Sequence, residues 1–485
     1  MRDAIVVLDH DEALAGLIAR TLRNLQVYCE VAPFSATLAQ VRARGARGLI
    51  VAVGNGADVS LEPLDPALLS AGLPTLALGA AAAALCERLG GVVMHRRSES
   101  ENATLALSEL PLFEGMTGGE RMLHGLRDLR LPEGCQSIAT ATERCIGFMH
   151  EPSGLYALQY PIERNDPDSV QLLRNFACLV CEVEPVWTEE SIIADAVSRI
   201  AQAAGDGSVL CAVSGGVDSA VCAKLAHEAV GERLQCVFVD TGLFRQDEPQ
   251  TVIDNYRESL GLTVTYVDAK ESFLKALRGV QASADKERIA SALLGQVLYR
   301  QLRYGEPSQA LVLGTNYNDV LYGRRESSAE QAAETGEALP ILEPLSRLFK
   351  EEVRRVAKAL SLPATLSERQ SFPSSGLALR VYGEVTQERL NLLRQADAFF
   401  NEEVRATGHE RRLWQYYAAL SENPGECGGY AVILRASQAC SGEACASRLP
   451  YDLLERVVAR ILAELPDVHS VAYDLTPSTQ YAHME

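Results

Sequence analysis

"VLCAVSGGVDSAV", residues 209–221, joins an apolar strand to an apolar helix through a turn with almost no side-chain bulk. The strand delivers Ser214, Gly215 and Gly216 into that turn, where missing side chains let backbone N–H groups close round an oxyanion. The helix that follows points its positive end at the same place, so the guest implied is phosphate. The chain contains no G-x-x-x-x-G-K-[ST], which sets this loop apart from the one used by ATPases that transfer the γ-phosphoryl group. Ser214 and Ser219 supply hydroxyl donors, and Asp218 could hold Mg²⁺ against the phosphates. The bland alternative is a tight strand-to-helix turn. It leaves unexplained why Ser-Gly-Gly-x-Asp-Ser keeps bulk away from every place a phosphate would sit.

The segments around the loop alternate between strand and helix, which implies a parallel sheet flanked by helices. Thr188 is a plausible helix cap, followed by an apolar stripe of Ile192, Ile193, Ala196, Val197 and Ile200. A helix over 217–230 stopped by Gly231 leads to "QCVFVD", "TVTYVDA", a long helix around 285–304 and "ALVLGT". Residues 324–339 are polar and poorly periodic, as in a loop or insertion. From about 366 the pattern changes to two amphipathic helices (387–407, 449–464) among strands such as "YAVILRAS", a small α+β domain.

Upstream, "AIVVLD", "VYCEVAPF", "GLIVAV" and "TLAL" are strands of another alternating unit, and Ala80 to Leu89 is a helix closed by Gly90 and Gly91. Residues 107–163 are shorter and more polar stretches, and "EVEPVWTEES" has the composition of a junction. The fold class expected is α/β: two doubly wound parallel-sheet domains and a small α+β domain.

Composition narrows the function classes. The 485 residues suffice for about three domains. A net charge of −19 argues against nucleic acid or anionic membrane as partner and toward small-molecule work. No apolar run approaches the roughly 20 residues of a membrane span, and no leader pattern follows Met1, so a cytoplasmic address is expected. The twelve cysteines lack paired metal-type spacing and read as reduced core residues; Cys178 and Cys181, the one C-x-x-C, sit at helical spacing and read as packing.

"SGGVDS" resembles the pyrophosphate-binding loop of the N-type ATP pyrophosphatases. "CVFVDTGLFR" (236–245), "GTNYNDVL" (314–321), "LEPLSRLFKEEVRRVAKALSLP" (342–363), "FPSSGLALRVYGEVT" (372–386) and the stretch 448–476 resemble the GMP synthetase family in the right order. The N-terminal stretch 5–34 is similar to that family's class I glutamine amidotransferase domain. The resemblance implies an amidotransferase-like domain over 1–184, an ATP pyrophosphatase domain over 188–365 (adenine nucleotide α-hydrolase-like) and a dimerisation domain over 366–485. It also implies the chemistry: ATP adenylylates a carbonyl oxygen, pyrophosphate leaves, and a nucleophile displaces AMP. By match to the motifs, Ser214, Gly215, Gly216, Val217, Asp218 and Ser219 would hold pyrophosphate and Mg²⁺. Asp240, Thr241, Gly242 and Leu243 would line the adenosine side, and Gly314, Thr315 and Asp319 would lie near nucleotide and metal. Lys350 would bring positive charge to the phosphates, although on its own it reads as a surface lysine. Arg380 survives as a substrate contact.

The resemblance breaks in two places. In class I amidotransferases the strand-to-helix elbow G-x-C-x-G-x-Q carries the attacking cysteine; the matching residues here are Ala77 to Ala83, and Gly79 stands at the nucleophile. Cys86, two helical turns on, reads as core. The family's His-Pro-Glu matches Tyr160, Pro161 and Ile162, and its Ser-Gly-Gly-Pro turn matches Ala52, Val53, Gly54 and Asn55. With nucleophile and base both gone, no glutamine hydrolysis is expected. The second break is in the acceptor half, where 324–339, "QSFPSSGL", "GECGGY" and "PSTQYAHME" replace the family's XMP-binding segments.

The leading expectation is therefore a ligase using ATP and Mg²⁺ on a small-molecule acceptor, purine-like or other, with free ammonia or another nucleophile, working as a homodimer. Three alternatives stay open. One is ammonia-dependent GMP synthesis from XMP. Another is sulfur insertion into a nucleobase, with Cys427, Cys440 and Cys445 as candidate thiols against a simpler buried-thiol reading. The last is a catalytically silent ATP-binding partner protein.

Overall fold

Strands that are apolar on both faces need helices on both sides, and the sequence supplies them in alternation. The computed structural model describes residues 3–55, 57, 59–94, 101–304, 308–321, 340–367, 372, 375–422, 428–440 and 443–476. They form two compact units, Met1–Ser191 and Ile192–Glu485.

In the first unit, β1 (Ala4–Asp9), β2 (Cys29–Pro33), β3 (Ala46–Val53) and β4 (Thr75–Gly79) are parallel, and all but the edge strand β2 are almost wholly buried. The strands that follow are β5 (Val92–Met94), β6 (Glu101–Leu107), β7 (Gly119–Leu123), β8 (Asp128–Arg130), β9 (Gln136–Ala141), β10 (Arg144–His150) and β11 (Leu155–Leu158). The sheet runs β2-β1-β3-β4-β11-β10-β9-β6-β7, with β5 and β8 paired separately. β11 joins β4 in parallel, whereas β10, β9, β6 and β7 continue antiparallel. This half of the sheet departs from the all-parallel expectation: its strands are short, carry polar alternation and connect by tight turns, which favours hairpins over crossovers.

The second unit contains β12 (Ser208–Ala212), β13 (Leu234–Asp240), β14 (Val264–Asp268), β15 (Ser308–Val312) and β16 (Ile341–Leu342), all parallel in the order β14-β13-β12-β15-β16. The helix Val217–Val230 ends where expected, with Gly231 in a positive-φ conformation (58°). A smaller sheet follows: β17 (Gln415–Glu422), β18 (Tyr430–Cys440), β19 (Glu443–Ala446) and β20 (Val468–Tyr473). The helices Gln387–Ala406 and Tyr451–Glu464 pack on it through Leu393, Phe400, Leu453 and Val457, all buried. Among the described residues no helix is long and apolar enough to cross a membrane.

Among the described residues nine cysteines are free, but Cys445 is disulfide-bonded, which corrects the expectation of wholly reduced thiols. Cys445 lies on β19, which pairs antiparallel with β18 and sets Gln438 opposite it. The stretches 324–339 and 477–485, and Cys427, lie outside the described residues.

Candidate functional site

Ligands in open parallel sheets bind where neighbouring strands lead their connections to opposite sides. Here that point lies between β12 and β15, because β12 continues in sequence to β13 on its other flank. Val213 still donates its N–H to Val237 O at 2.9 Å, and the chain then leaves the sheet at Ser214. Gly215 takes φ 78°, and Gly216 caps the helix Val217–Val230 with no side-chain acceptor. The first-turn N–H groups are thus left without a side-chain cap, as an anion site requires. Gly314, beyond β15, explains itself by contact: a Cβ there would lie 3.2 Å from Ser219 N and 3.3 Å from Asp218 Cβ. Ser214 is exposed and Ser219 buried.

Asp218 stands in the first turn of that helix, and Lys350 opens the helix Lys350–Ala359. Glu352 fixes the start of the second helix by accepting the Phe349 N–H at 2.8 Å. Lys350 Nζ forms an ion pair and hydrogen bond with Asp218 Oδ2, joining residues 132 positions apart in the sequence. The other carboxylate oxygen, Asp218 Oδ1, is buried with no hydrogen-bond partner. One oxygen neutralised and one available suits Mg²⁺ held by a single carboxylate and by substrate phosphates. Among the described residues no group of three or more His, Cys, Asp or Glu forms an all-protein metal site.

The remaining expected residues fall into two sets. Asp240 is buried and organises its own turn: it accepts from Gly242 N at 2.9 Å and Tyr266 OH at 2.7 Å, with Lys270 Nζ at 3.2 Å. Asp240 and Gly242 line a cavity of about 790 Å³ with Phe244, Tyr266 and Arg394, whereas Thr241 and Leu243 are buried. Thr315 donates to Glu343 at 2.8 Å, and Asp319 accepts from Asn316 N at 3.0 Å, a local cap. Arg380 lies in the interior, 3% exposed, so it does not present an open contact to a ligand. Its guanidinium lies over Tyr417 and Phe372 and 3.7 Å from Asp397. Burial, reinforced by nearby Arg245, pushes its pKa down to about 10. The buried Lys286 ties down the same turn, donating to Val381 O at 2.6 Å and Ala378 O at 3.3 Å.

In the first unit Gly79, the residue matched to the family's nucleophile, ends β4 and caps the helix Ala80–Arg88. Gly79 holds φ 67°, ψ −133°, and a Cβ there would lie 1.9 Å from Val53 O and 3.2 Å from Asn55 Oδ1. Ala80 to Ala83 are each at most 2% exposed. Tyr160, at the position of the family's base, is buried and donates to Asp166 Oδ2 at 3.0 Å. Burial, together with Asp166, pushes the phenol well above its ordinary pKa, so it stays protonated. Burial alone would raise Asp166, but hydrogen bonds from Ser169 and Arg121 outweigh it and hold the carboxyl down to about 2. Cys86 is 0% exposed with its thiol pushed up to about 11, mainly by burial, as a core residue should be.

Comparison with known proteins bears on both units. A family profile described as NAD synthase matches residues 190–401, and one described as GMP synthase C terminal domain matches 402–481. The chain is 37% identical over 505 residues to a protein of Symbiobacterium thermophilum named GMP synthase (glutamine-hydrolyzing), spanning 98% of this chain and 97% of that one. The chain belongs to the GMP synthase family. Relatives of the same name from Thermomicrobium roseum and Gloeobacter violaceus are 36% and 34% identical, covering 98% of this chain and 95% and 92% of theirs. A solved structure from Thermoplasma acidophilum, of a protein described as a GMP synthase subunit, is 21% identical, covering 38% of this chain and 95% of that one at TM-score 0.32.

The GMP synthase family is one of ATP-dependent ligases. Within this member, sequence reasoning overlooked Tyr256, whose hydroxyl lies 3.2 Å from Ser219 Oγ, and Glu343, the partner of Thr315. It also overlooked the Arg121–Asp166–Asp168 cluster beside Tyr160. Tyr256 was legible only as one of the apolar positions of the helix Glu248–Leu260, and no motif marks the others.

Proposed function

We propose that this chain is an AMP- and pyrophosphate-forming ligase that draws its nucleophile from solution. The acceptor's carbonyl oxygen attacks the α-phosphorus of ATP, the bond to the β-phosphate breaks, and pyrophosphate leaves into the Ser214–Ser219 loop. Ammonia or another nucleophile then attacks the carbonyl carbon, loses a proton, and expels AMP with the former carbonyl oxygen. In this reading Asp218 would hold Mg²⁺, which when bound would shield the phosphates, while Lys350 offsets charge that builds on the departing group.

The observation that carries the proposal is the Lys350–Asp218 pair, set against an uncapped helix start and leaving one buried carboxylate oxygen without a partner. Gly79 supports the absence of glutamine hydrolysis, because Val53 O occupies the space a nucleophile's Cβ would need. We further propose three domains, 1–184, 188–365 and 366–485. The last forms a homodimer, a reading supported by Trp414, Tyr451 and Leu475, which are 47%, 75% and 66% exposed. Sedimentation at two protein concentrations tests it, and a monomer at both would remove the dimer.

The test of function is release of AMP and pyrophosphate by the full chain with ATP, Mg²⁺ and a panel of carbonyl acceptors, with ammonium or glutamine. Ammonium is expected to support turnover and glutamine to give none; equal support by both would overturn the account of the first unit. A second reading, GMP synthesis from XMP and ammonium, is favoured by the names of the relatives, and no AMP from XMP, ATP and ammonium would eliminate it. Sulfur insertion loses one candidate thiol, because Cys445 is disulfide-bonded. Tight ATP binding with no release across the panel would point to the silent binding protein.

A further inference from the structure

The hydroxyls of the anion loop are not equivalent, and a hydrogen-bond inventory separates them. Ser219 Oγ has one proton and two lone pairs. It lies 3.0 Å from Gly216 O, which can only accept, and 3.1 Å from Ser214 N, which can only donate. It also lies 3.2 Å from Tyr256 OH and 3.2 Å from Ser214 Oγ. Four neighbours compete for three places.

Tyr256 decides the competition. Its side chain is 0% exposed, and Ser219 Oγ is the hydrogen-bond partner the structure gives its hydroxyl. A buried phenol that does not donate leaves its proton unsatisfied, so Tyr256 donates to Ser219. Ser219 then donates to Gly216 O and accepts from Ser214 N and Tyr256, and its capacity is full. Ser214 Oγ accepts the Gly216 N–H at 3.4 Å and keeps a proton with no lone pair of Ser219 left to receive it. Exposure agrees: Ser219 is 5% exposed, and Ser214 lies at the surface of the loop.

We propose that Tyr256 is a positioning residue that commits Ser219 to the interior of the loop, leaving Ser214 as the hydroxyl that donates to the departing pyrophosphate. This rests on the ATP reading above and revises one part of it, the equal assignment of both serines to the ligand. Without the phenol proton, Ser214 would turn its own toward Ser219, 3.2 Å away, and the ligand would have to break that bond to be received.

Calorimetric binding of ATP with Mg²⁺ to the full chain tests the proposal through three single variants and one pair. Ser214→Ala is expected to weaken binding about tenfold or more, the loss of a hydrogen bond to a charged group, and Ser219→Ala by less than about threefold. Tyr256→Phe keeps the ring and is expected to weaken binding a few-fold. In that background Ser214→Ala should cost clearly less than in the wild type, because the hydroxyl has already been diverted. A merely structural Tyr256 would leave the two penalties additive. Equal losses for the two serine variants, or an undiminished Ser214→Ala penalty in the Tyr256→Phe background, would overturn the inference. Thermal melts of Tyr256→Phe, Ser219→Ala and the double variant probe the bond without ATP, and additive melting shifts would also defeat it. A wild-type chain that binds no ATP would instead defeat the ligase reading, while the melts still decide the Tyr256–Ser219 bond.

Discussion

Placing a thiol at residue 79 by Gly79→Cys should not confer glutamine hydrolysis, and the reason is steric before it is chemical. Gly79 is paired in register with Val53 on β3, and its Cβ would lie 1.9 Å from that residue's carbonyl oxygen. Carbon and oxygen normally approach no closer than about 3.3 Å, so the ends of two central strands would have to part by more than about 1 Å. Overpacking of this kind costs about 1–3 kcal/mol. A non-glycine residue held at φ 67°, ψ −133° adds about 1–3 kcal/mol of backbone strain. The sum is about 2–6 kcal/mol, and for a unit of this size each kcal/mol lowers Tm by about 2–4 °C. A fall of at least about 4 °C is therefore expected in the transition of the first unit, with Gly79→Ala falling similarly because the clash belongs to Cβ. Even a tolerated thiol would need a base, and Tyr160, the residue matched to the family's base, keeps its proton and donates it to Asp166. The assays are calorimetric melting and glutamate release from glutamine. A variant that melts like the wild type and releases glutamate would refute both parts of the reasoning.

Lys350→Met leaves Asp218 partly buried without its cation and removes charge from the phosphates, so pyrophosphate release should fall by about a hundredfold or more with the fold retained by circular dichroism. Asp218→Asn should weaken ATP binding in Mg²⁺ far more than in its absence; equal losses in titrations with and without the ion would remove the proposed metal contact. Asp166 has a folded pKa depressed to about 2, so its contribution to stability is present above the unfolded value near 3.8 and is lost as pH falls toward 2. Melting of the first unit should therefore fall more steeply over that window in the wild type than in Asp166→Asn, and parallel pH curves would contradict the assignment.

The loop and its flanking elements were legible because they are local: an apolar strand, a glycine turn and a helix stopped by Gly231 need only neighbours in sequence, and the helix Val217–Val230 ends where the pattern places it. The antiparallel half of the first sheet was not legible, since short strands of mixed polarity do not reveal their partners. Only the match to the family's elbow singled out Gly79, a residue with no side chain at the position of that family's nucleophile. Whether the vacated space remained open could be decided only by the neighbouring strand, which fills it with Val53 O. Lys350 shows the same division, because its charge is written in the chain, but its meeting with Asp218 depends on how two distant helices pack. Arg380 and Tyr256 go furthest. Arg380 has the charge of a ligand contact and is buried among aromatic rings, while Tyr256 has the spacing of a core residue and assigns the proton of a serine. Sequence by itself determines which groups exist and their short-range periodicity; burial, and the competition of several donors for one oxygen, exist only once remote segments share a volume.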